Sequence, residues 1–297
     1  MTGRFTGTAD VRRRLADRDY LVDEGMATAI FLAGELEMPL LLEGEPGVGK
    51  TTAAKAMADA LGTELIRLQC YEGLSVSESL YEWNYQRQLL AIRLAESRND
   101  TLTDADLFTA EFLQDRPILQ CVRYGGPQPP VLLIDEVDRA DDEFEALLLE
   151  FLGEWSVSVP ELGTIVAART PTVVLTSNRS RELHDALRRR CLYHWIEFPP
   201  PERAVAILRC RVPEANESLI ARAAEFTGRA RGLDLDKTPG MAETIDWVSA
   251  MSVLGVTELG KDQILPTLGT LVKTPDDRET IAGRLDELLD PLSETRT

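Results

Sequence analysis

Short continuous runs of apolar residues, separated by stretches in which apolar residues recur at helical spacing, set the plan of this chain. Five runs read as strands: Pro39–Glu43, Leu65–Cys70, Val131–Ile134, Val173–Thr176 and Tyr193–Phe198. Runs of this length and β-rich composition are expected of strands in a parallel sheet covered by helices. Between the third and fourth, Phe144, Leu147, Leu148, Phe151 and Leu152 fall at i, i+3, i+4, i+7 and i+8, the stripe of a helix with one buried face. The alternation predicts an α/β fold whose parallel strands end, at their C-terminal edge, beside the functional site.

Two segments interrupt that alternation. Ser77 to Gln120 is long and reads as helical, with capping signals at Ser77 and Thr103-Asp104 and an aromatic group, Tyr81, Trp83 and Tyr85. Ser156–Val159 and Thr164–Val166 flank Pro160-Glu161-Leu162-Gly163, a turn composition that predicts a hairpin. Pro199-Pro200-Pro201 then marks a boundary, since consecutive prolines neither continue a helix nor pair normally in a sheet. Beyond it apolar residues recur at helical spacing in Glu202–Cys210, Glu217–Thr227, Ala242–Leu254 and Thr280–Leu289. Residues 1–199 are therefore expected to form an α/β domain and residues 200–297 a smaller all-helical one. No internal repeat or low-complexity tract is evident.

The chemistry enters between the first strand and the helix that follows it. Gly44-Glu45-Pro46-Gly47-Val48-Gly49-Lys50-Thr51, followed by Thr52, matches G-x-x-x-x-G-K-[ST], the phosphate-binding loop. Gly44 and Gly49 let the backbone turn so that its N–H groups can face phosphate oxygens, and Pro46 and Gly47 shape the turn between them. Lys50 brings a mobile positive charge for the β and γ phosphates, and the following helix directs its positive end at the same place. Thr51 offers a hydroxyl to Mg²⁺. An ordinary glycine-rich turn would not need this order of strand, loop and helix, so a nucleoside triphosphate is the expected ligand.

Val131 to Ile134 runs into Asp135 and Glu136, the form of a Walker B element: Asp135 is expected to hold Mg²⁺ and Glu136 to orient or deprotonate the attacking water. Thr172 to Ser177 leads into Asn178, placed to bond the γ-phosphate or the water between itself and Glu136. Arg188-Arg189-Arg190 is a dense positive cluster in an acidic chain. An arginine supplied in cis or by a neighbour commonly stabilises charge on a transferred phosphoryl group, so one of these three arginines is expected to be catalytic and the others structural.

Charge narrows the partners. Lys+Arg 32 against Asp+Glu 50 gives a formal charge of −18, which repels a phosphate backbone, and nucleic acid is not expected as a partner. The N-terminal stretch has no apolar signal core, because Arg4, Asp10 and Arg12-Arg13-Arg14 interrupt it, and no apolar run approaches membrane-spanning length; a cytoplasmic protein with no membrane partner is expected. Cys70, Cys121, Cys191 and Cys210 show no C-x-x-C pairing and only two histidines are present, which suggests neither a zinc site nor a disulfide framework.

The ordered set Gly44–Thr51, Leu133-Ile134-Asp135-Glu136, Thr176-Ser177-Asn178 and Ala186-Leu187-Arg188-Arg189-Arg190-Cys191 resembles the AAA+ ATPases, most closely their MoxR family. Val159 to Ile165 looks like the hairpin those proteins carry before the Asn, and Ser77–Gln120 sits where they have an insert. The resemblance, which spans about Tyr20 through the helical domain, implies ATP with Mg²⁺, a homo-oligomeric and usually hexameric ring, and Arg190 or Arg189 reaching a neighbour's site. It also implies a partner bearing a von Willebrand factor A domain and a metalloenzyme client, the nearest branch being the one associated with maturation of carbon monoxide dehydrogenase. Tyr71-Glu72-Gly73-Leu74 falls where AAA+ proteins place a loop lining the central pore. The chain departs from the family in its lid: Lys237-Thr238-Pro239-Gly240-Met241-Ala242-Glu243 carries no arginine where many members have a Ser-Pro-Arg-like motif.

Two other functions fit a phosphate loop. A small-molecule kinase would need an acceptor pocket and an arginine-rich lid, whereas the arginines here follow the Asn-bearing strand. An ATP-binding switch with little turnover would have no use for Glu136. A GTPase is expected to show Asn-Lys-x-Asp, and the dipeptide Asn-Lys does not occur.

Overall fold

The computed structural model describes residues 4–289; residues 1–3 and 290–297, the outer ends of the two expected domains, lie outside the described residues. The chain divides into two compact units. One takes in the chain up to Arg18, Val22–Glu43 and Thr51–Trp195, and the other comprises Asp19–Leu21, Gly44–Lys50 and the chain from Ile196 on.

In the first unit, α1 (Thr8–Ala16) and α2 (Glu24–Glu35) precede β1 (Leu40–Gly44), which leads through the glycine loop to α3 (Lys50–Leu61) and β2 (Leu65–Gln69). The next elements are α4 (Val76–Ser79), β3 (Tyr81–Trp83), α5 (Tyr85–Arg98), α6 (Asp104–Leu107), β4 (Leu113–Asp115) and α7 (Pro117–Val122). Then come β5 (Val131–Asp135), α8 (Asp142–Glu154), the hairpin strands β6 (Ser156–Val159) and β7 (Gly163–Val166), β8 (Thr172–Ser177), α9 (Asp185–Arg188) and β9 (Leu192–Ile196). The main sheet has the order β2-β5-β8-β1-β9, with β2–β5, β5–β8 and β8–β1 parallel. β1 and β5 are buried at every residue, as continuous apolar runs require, while the edge strand β2 alternates, with Arg67 and Gln69 on its exposed face.

The core gathers Leu132, Ile134, Val173 and Leu175 of the strands with Ile118 and Leu119 of α7 and Phe144, Leu148 and Phe151 of α8. Each of these side chains contributes about 1.5–3 kcal/mol by leaving water. The α8 stripe lies where its spacing placed it, and Asp141 caps the helix by accepting the Phe144 N–H.

The insert differs from expectation. It contains a two-stranded antiparallel pair, Tyr81↔Asp115 to Trp83↔Leu113, in addition to its helices. Trp83 is buried and meets Phe108 edge-on at 5.1 Å, so two of the aromatics read from sequence are packing, while Tyr85 stays exposed. The first cap is Ser75, whose N–H and hydroxyl both reach the Glu78 carboxylate, and not Ser77; Thr103 stands at the N-cap of α6 as expected, and its N–H and hydroxyl both donate to Asp106, a partner outside the expected Thr103-Asp104 pair. β9 stops at Ile196, short of the expected Phe198, as the chain approaches the three prolines.

The second unit is helical: α10 (Pro201–Arg211), α11 (Glu217–Ala230), α12 (Met241–Val253), α13 (Lys261–Leu271), α14 (Pro275–Gly283) and α15 (Leu285–Leu289). Its core centres on Trp247 and Phe226, 5.2 Å apart, with the Trp247 indole N–H donating to Thr267 at 2.9 Å. Two regions differ from expectation. α13 carries Pro266 in its interior, which disguised it as loop, and the expected Thr280–Leu289 helix is two helices that break after Gly283. Among the described residues no helix is long and apolar enough to cross a membrane.

Candidate functional site

β2, β5 and β8 are neighbours in the sheet, so the polar residues at their C-terminal ends meet. Asp135, the last residue of β5, is 2% exposed. A carboxylate so buried must be fully bonded, because desolvating an unpaired charge costs several kcal/mol. Its Oδ1 accepts the Thr51 hydroxyl at 2.9 Å and the Thr176 hydroxyl at 2.6 Å, and its Oδ2 takes the Arg67 guanidinium at 2.6 and 3.1 Å. Thr51 and Asp135, both expected to serve the metal, are thus brought together, with Thr176 as a third member of the group. Arg67 was not anticipated. Its signal was the polar 67 and 69 positions on an otherwise apolar edge strand.

Glu136 follows in a left-handed conformation, φ 56° and ψ 50°, unusual for a residue with a Cβ. The turn is held by its N–H, which donates to the Thr176 hydroxyl at 2.9 Å. Its carboxylate accepts Asn178 Nδ2 at 3.4 Å and Gln69 Nε2 at 3.1 Å and pairs with Arg139 Nε at 2.9 Å. Glu136 and Asn178 are therefore adjacent. Gln69 and Arg139 are further partners that sequence reasoning passed over.

Asp138 was also missed, and it fixes the loop that carries Asn178. It is 2% exposed, accepts the Asn178 N–H at 3.2 Å and the Ser180 N–H at 2.7 Å, and takes the Ser180 hydroxyl at 2.6 Å. Arg179, between them, has a left-handed φ of 58°, stacks over the Trp195 ring and lies 3.8 Å from the buried Glu43. Cys70, next to this group of acids, has its thiol pushed up to about 12 by burial and then by the charges of Asp135, Asp138 and Glu136, so it stays protonated. Burial alone does the same to Cys121 and Cys191.

Arg189 and Arg190 are not brought to this group. Both are exposed: Arg189 pairs with Asp185 at 3.3 Å, and Arg190 donates to the Ala186 carbonyl one turn back. Tyr71 is exposed and donates its hydroxyl to Glu78.

The glycine loop belongs to the second unit. Lys50, 7% exposed, donates its ammonium to the carbonyls of Gly44 at 2.6 Å and Glu45 at 2.9 Å. Gly47 and Gly49 adopt φ of 78° and 98°, a region closed to most side chains, and a Cβ on Gly44 would fall 2.5 Å from the Ile196 carbonyl oxygen. The Tyr20 hydroxyl donates to the Gly49 carbonyl at 3.2 Å. Glu45 and Pro46 are exposed, Val48 half-buried, and Thr51 and Thr52 open the first turn of α3. Lys237 is exposed, and its backbone N–H is held by the Asp277 carboxylate.

The AAA domain (dynein-related subfamily) matches residues 39–191, just over half of the chain. The chain belongs to this AAA family. Across a longer span it is similar to the protein NorQ of Paracoccus denitrificans, 24% identical over 237 residues that cover 76% of this chain and 70% of that protein. It is also similar to the Lon protease of Halothermothrix orenii, 33% identical over 154 residues, which are 49% of this chain but 15% of Lon. Among solved structures, the RuvB Holliday junction branch migration motor of Thermotoga maritima is 19% identical, covering 95% of this chain and 76% of that one with a TM-score of 0.47.

The Asp138 network yields a stability prediction for this AAA unit. Asp138→Asn turns an acceptor oxygen into a donor facing N–H groups, and is expected to cost about 2 kcal/mol, or roughly 4–8 °C in melting temperature. Asp142→Asn, at a carboxylate 78% exposed, is the control and should leave the melting curve within about 1 °C.

Proposed function

We propose that this AAA-family protein is an ATP-hydrolysing remodelling enzyme of the MoxR type, which activates or matures a protein client. The reading is carried by one constellation, the Thr51 hydroxyl on the buried Asp135 carboxylate with Glu136 and Asn178 beside it. Gly44, Glu45, Pro46, Gly47, Val48, Gly49, Lys50, Thr51 and Thr52 are assigned to the triphosphate, with Lys50 turning from the loop carbonyls to the β and γ phosphates. Asp135 and Thr51 suit Mg²⁺, which takes hard oxygen donors and, next to phosphates, needs only one or two from the protein. When bound, that ion spreads the phosphate charge. Glu136 orients the attacking water and accepts its proton, and Asn178 steadies the Glu136 carboxylate.

Arg189 and Arg190 are exposed and engaged with their own helix, which suits a group serving a neighbouring copy. We therefore assign one of them to the next subunit's site in a homo-oligomeric, hexameric ring. Residues 1–199 would form the nucleotide-binding domain and residues 200–297 the lid. The −18 charge favours a protein client over nucleic acid. A partner with a von Willebrand factor A domain, a metalloenzyme client of the carbon monoxide dehydrogenase type, a cytoplasmic location, no membrane partner and a pore role for Tyr71 complete the proposal.

Three experiments test it. Lys50→Ala should weaken ATP binding at least tenfold, while Glu136→Gln should bind ATP within about twofold of wild type and turn over about 100-fold more slowly, since only the first removes a ground-state phosphate contact. Equal loss of binding in both would refute the role of Glu136. Mixing Arg190→Ala, or Arg189→Ala, with Glu136→Gln should restore part of the ATPase activity, because an intact Glu136 then meets an intact arginine from its neighbour. No recovery despite subunit exchange would place the arginine in cis. Finally, the ATPase rate should rise with a von Willebrand-type partner or its metalloenzyme; stimulation by DNA alone, or phosphorylation of a small acceptor, would sink the remodelling reading.

A further inference from the structure

Within the second unit, the first turn of α12 is bonded directly to the glycine loop. The Gly47 carbonyl accepts two backbone bonds, from the Met241 N–H at 3.0 Å and the Ala242 N–H at 3.2 Å. These are two of the first-turn donors that a helix cannot satisfy internally. The approach depends on glycine on both sides. A Cβ on Gly240 would stand 2.7 Å from Gly47 Cα and 2.8 Å from the Pro46 carbonyl oxygen, and one on Gly47 would stand 3.0 Å from Gly240 Cα and 2.7 Å from Glu243 Oε2.

The helix start is itself braced. Glu243 Oε2 accepts the Gly240 N–H at 3.0 Å, and Arg231 donates to the Pro239 carbonyl at 2.9 Å while its guanidinium lies 4.5 Å from the Phe198 ring centre. This is the stretch that has no arginine to offer a phosphate. What it offers the loop is a rigid pair of N–H groups.

The consequence follows from peptide geometry. No peptide bond among the described residues is cis, so the C=O and N–H of the Gly47–Val48 peptide point in opposite directions. With the Gly47 oxygen held by α12, the Val48 N–H is turned away from that helix. Anion binding by such a loop depends on the aim of its amides.

We propose that the Met241 and Ala242 amides are positioning groups: by holding the Gly47 carbonyl they set the Val48 N–H for the phosphates, so that the helical unit supports the nucleotide through backbone and not through an arginine. This rests on the reading of Gly44–Thr51 as a phosphate loop. By linkage the effect runs both ways, and a bound phosphate tightens the grip of α12 on the loop by the same factor.

Met241→Pro isolates the bond. Met241 is the first residue of α12, where proline is tolerated, and Gly240 before it is extended, so the helix survives while one N–H is lost. Because the Met241 side chain is buried, Met241→Ala serves as the control that loses the side chain and keeps the N–H. In calorimetric titrations, Met241→Pro should bind ATP about fivefold more weakly than Met241→Ala. Hydrogen exchange supplies a readout that mere packing would not move: ATP should slow exchange in the first turn of α12 in wild type and Met241→Ala, and do so less in Met241→Pro. Gly240→Ala, which forces the two segments apart, should lose at least as much ATP affinity and is the second test if the proline variant does not fold. Equal affinities for Met241→Pro and Met241→Ala, or wild-type affinity in Gly240→Ala, overturn the inference. Should Lys50→Ala still lose ATP in that case, the phosphate-loop reading stands without it; a wild-type protein that binds no ATP overturns both.

Discussion

A buried carboxylate at the end of the middle strand constrains the first unit more than any other group. Asp135 cannot remain charged in the interior unless each oxygen is bonded, and its partners come from three different elements: Thr51 of α3, Thr176 of β8 and Arg67 of β2. The sheet order β2-β5-β8 is what makes that possible, since it sets a guanidinium on one side of Asp135 and a hydroxyl on the other. Removing one partner would leave unpaired charge on a residue only 2% exposed. Arg67 is half exposed, so its share is reduced by solvent, whereas the Thr176 hydroxyl, on a residue 1% exposed, holds the carboxylate from the buried side.

From that anchor the geometry propagates outward. Thr176 donates to Asp135 and accepts from the Glu136 N–H, so one hydroxyl fixes the acid and turns the next residue into a left-handed conformation. The turn carries Glu136 out of the strand direction to partners on three sides: Asn178, Gln69 and Arg139. Asp138 repeats the device one step on, clamping the Asn178 and Ser180 amides. Two buried acids three residues apart thus position two polar side chains that are themselves more accessible. A group meant to exchange partners is thereby supported by groups that do not.

Much of this was legible in the sequence because parallel strands buried on both faces must be continuous apolar runs, and acids at their ends are conspicuous. Leu40–Gly44, Leu65–Gln69, Val131–Asp135, Thr172–Ser177 and Leu192–Ile196 each end within two residues of the corresponding apolar run. The misses have physical causes. Pro266 is exposed on α13, and the helix is held through it by the burial of Ile264, Leu268 and Leu271, a tertiary effect that no local signal announces. The three-residue strands β3 and β4 are too short for period-2 alternation to be recognised, and pair across 29 intervening residues from Asn84 to Phe112. Arg67 and Asp138 escaped because their roles depend on which strands are neighbours in the sheet, and adjacency is a tertiary fact that no local pattern carries.

The arginine cluster marks a different boundary of sequence reading. Its density in an acidic chain was visible, yet within one chain Arg189 and Arg190 reach only Asp185 and the Ala186 carbonyl. At an exposed site such bonds are worth a few tenths of a kcal/mol and are readily exchanged. Asp135 and Asp138 show the opposite economy: buried, fully bonded and unable to move without exposing charge. The contrast divides the polar groups of this chain into those whose energy is spent inside the fold and those still available to something outside it. The same division applies in the helical unit, where the α12 amides are committed to the Gly47 carbonyl while Lys237 stays exposed. Function in such a chain is to be sought where a committed group aims an uncommitted one, as Asp138 does for Asn178.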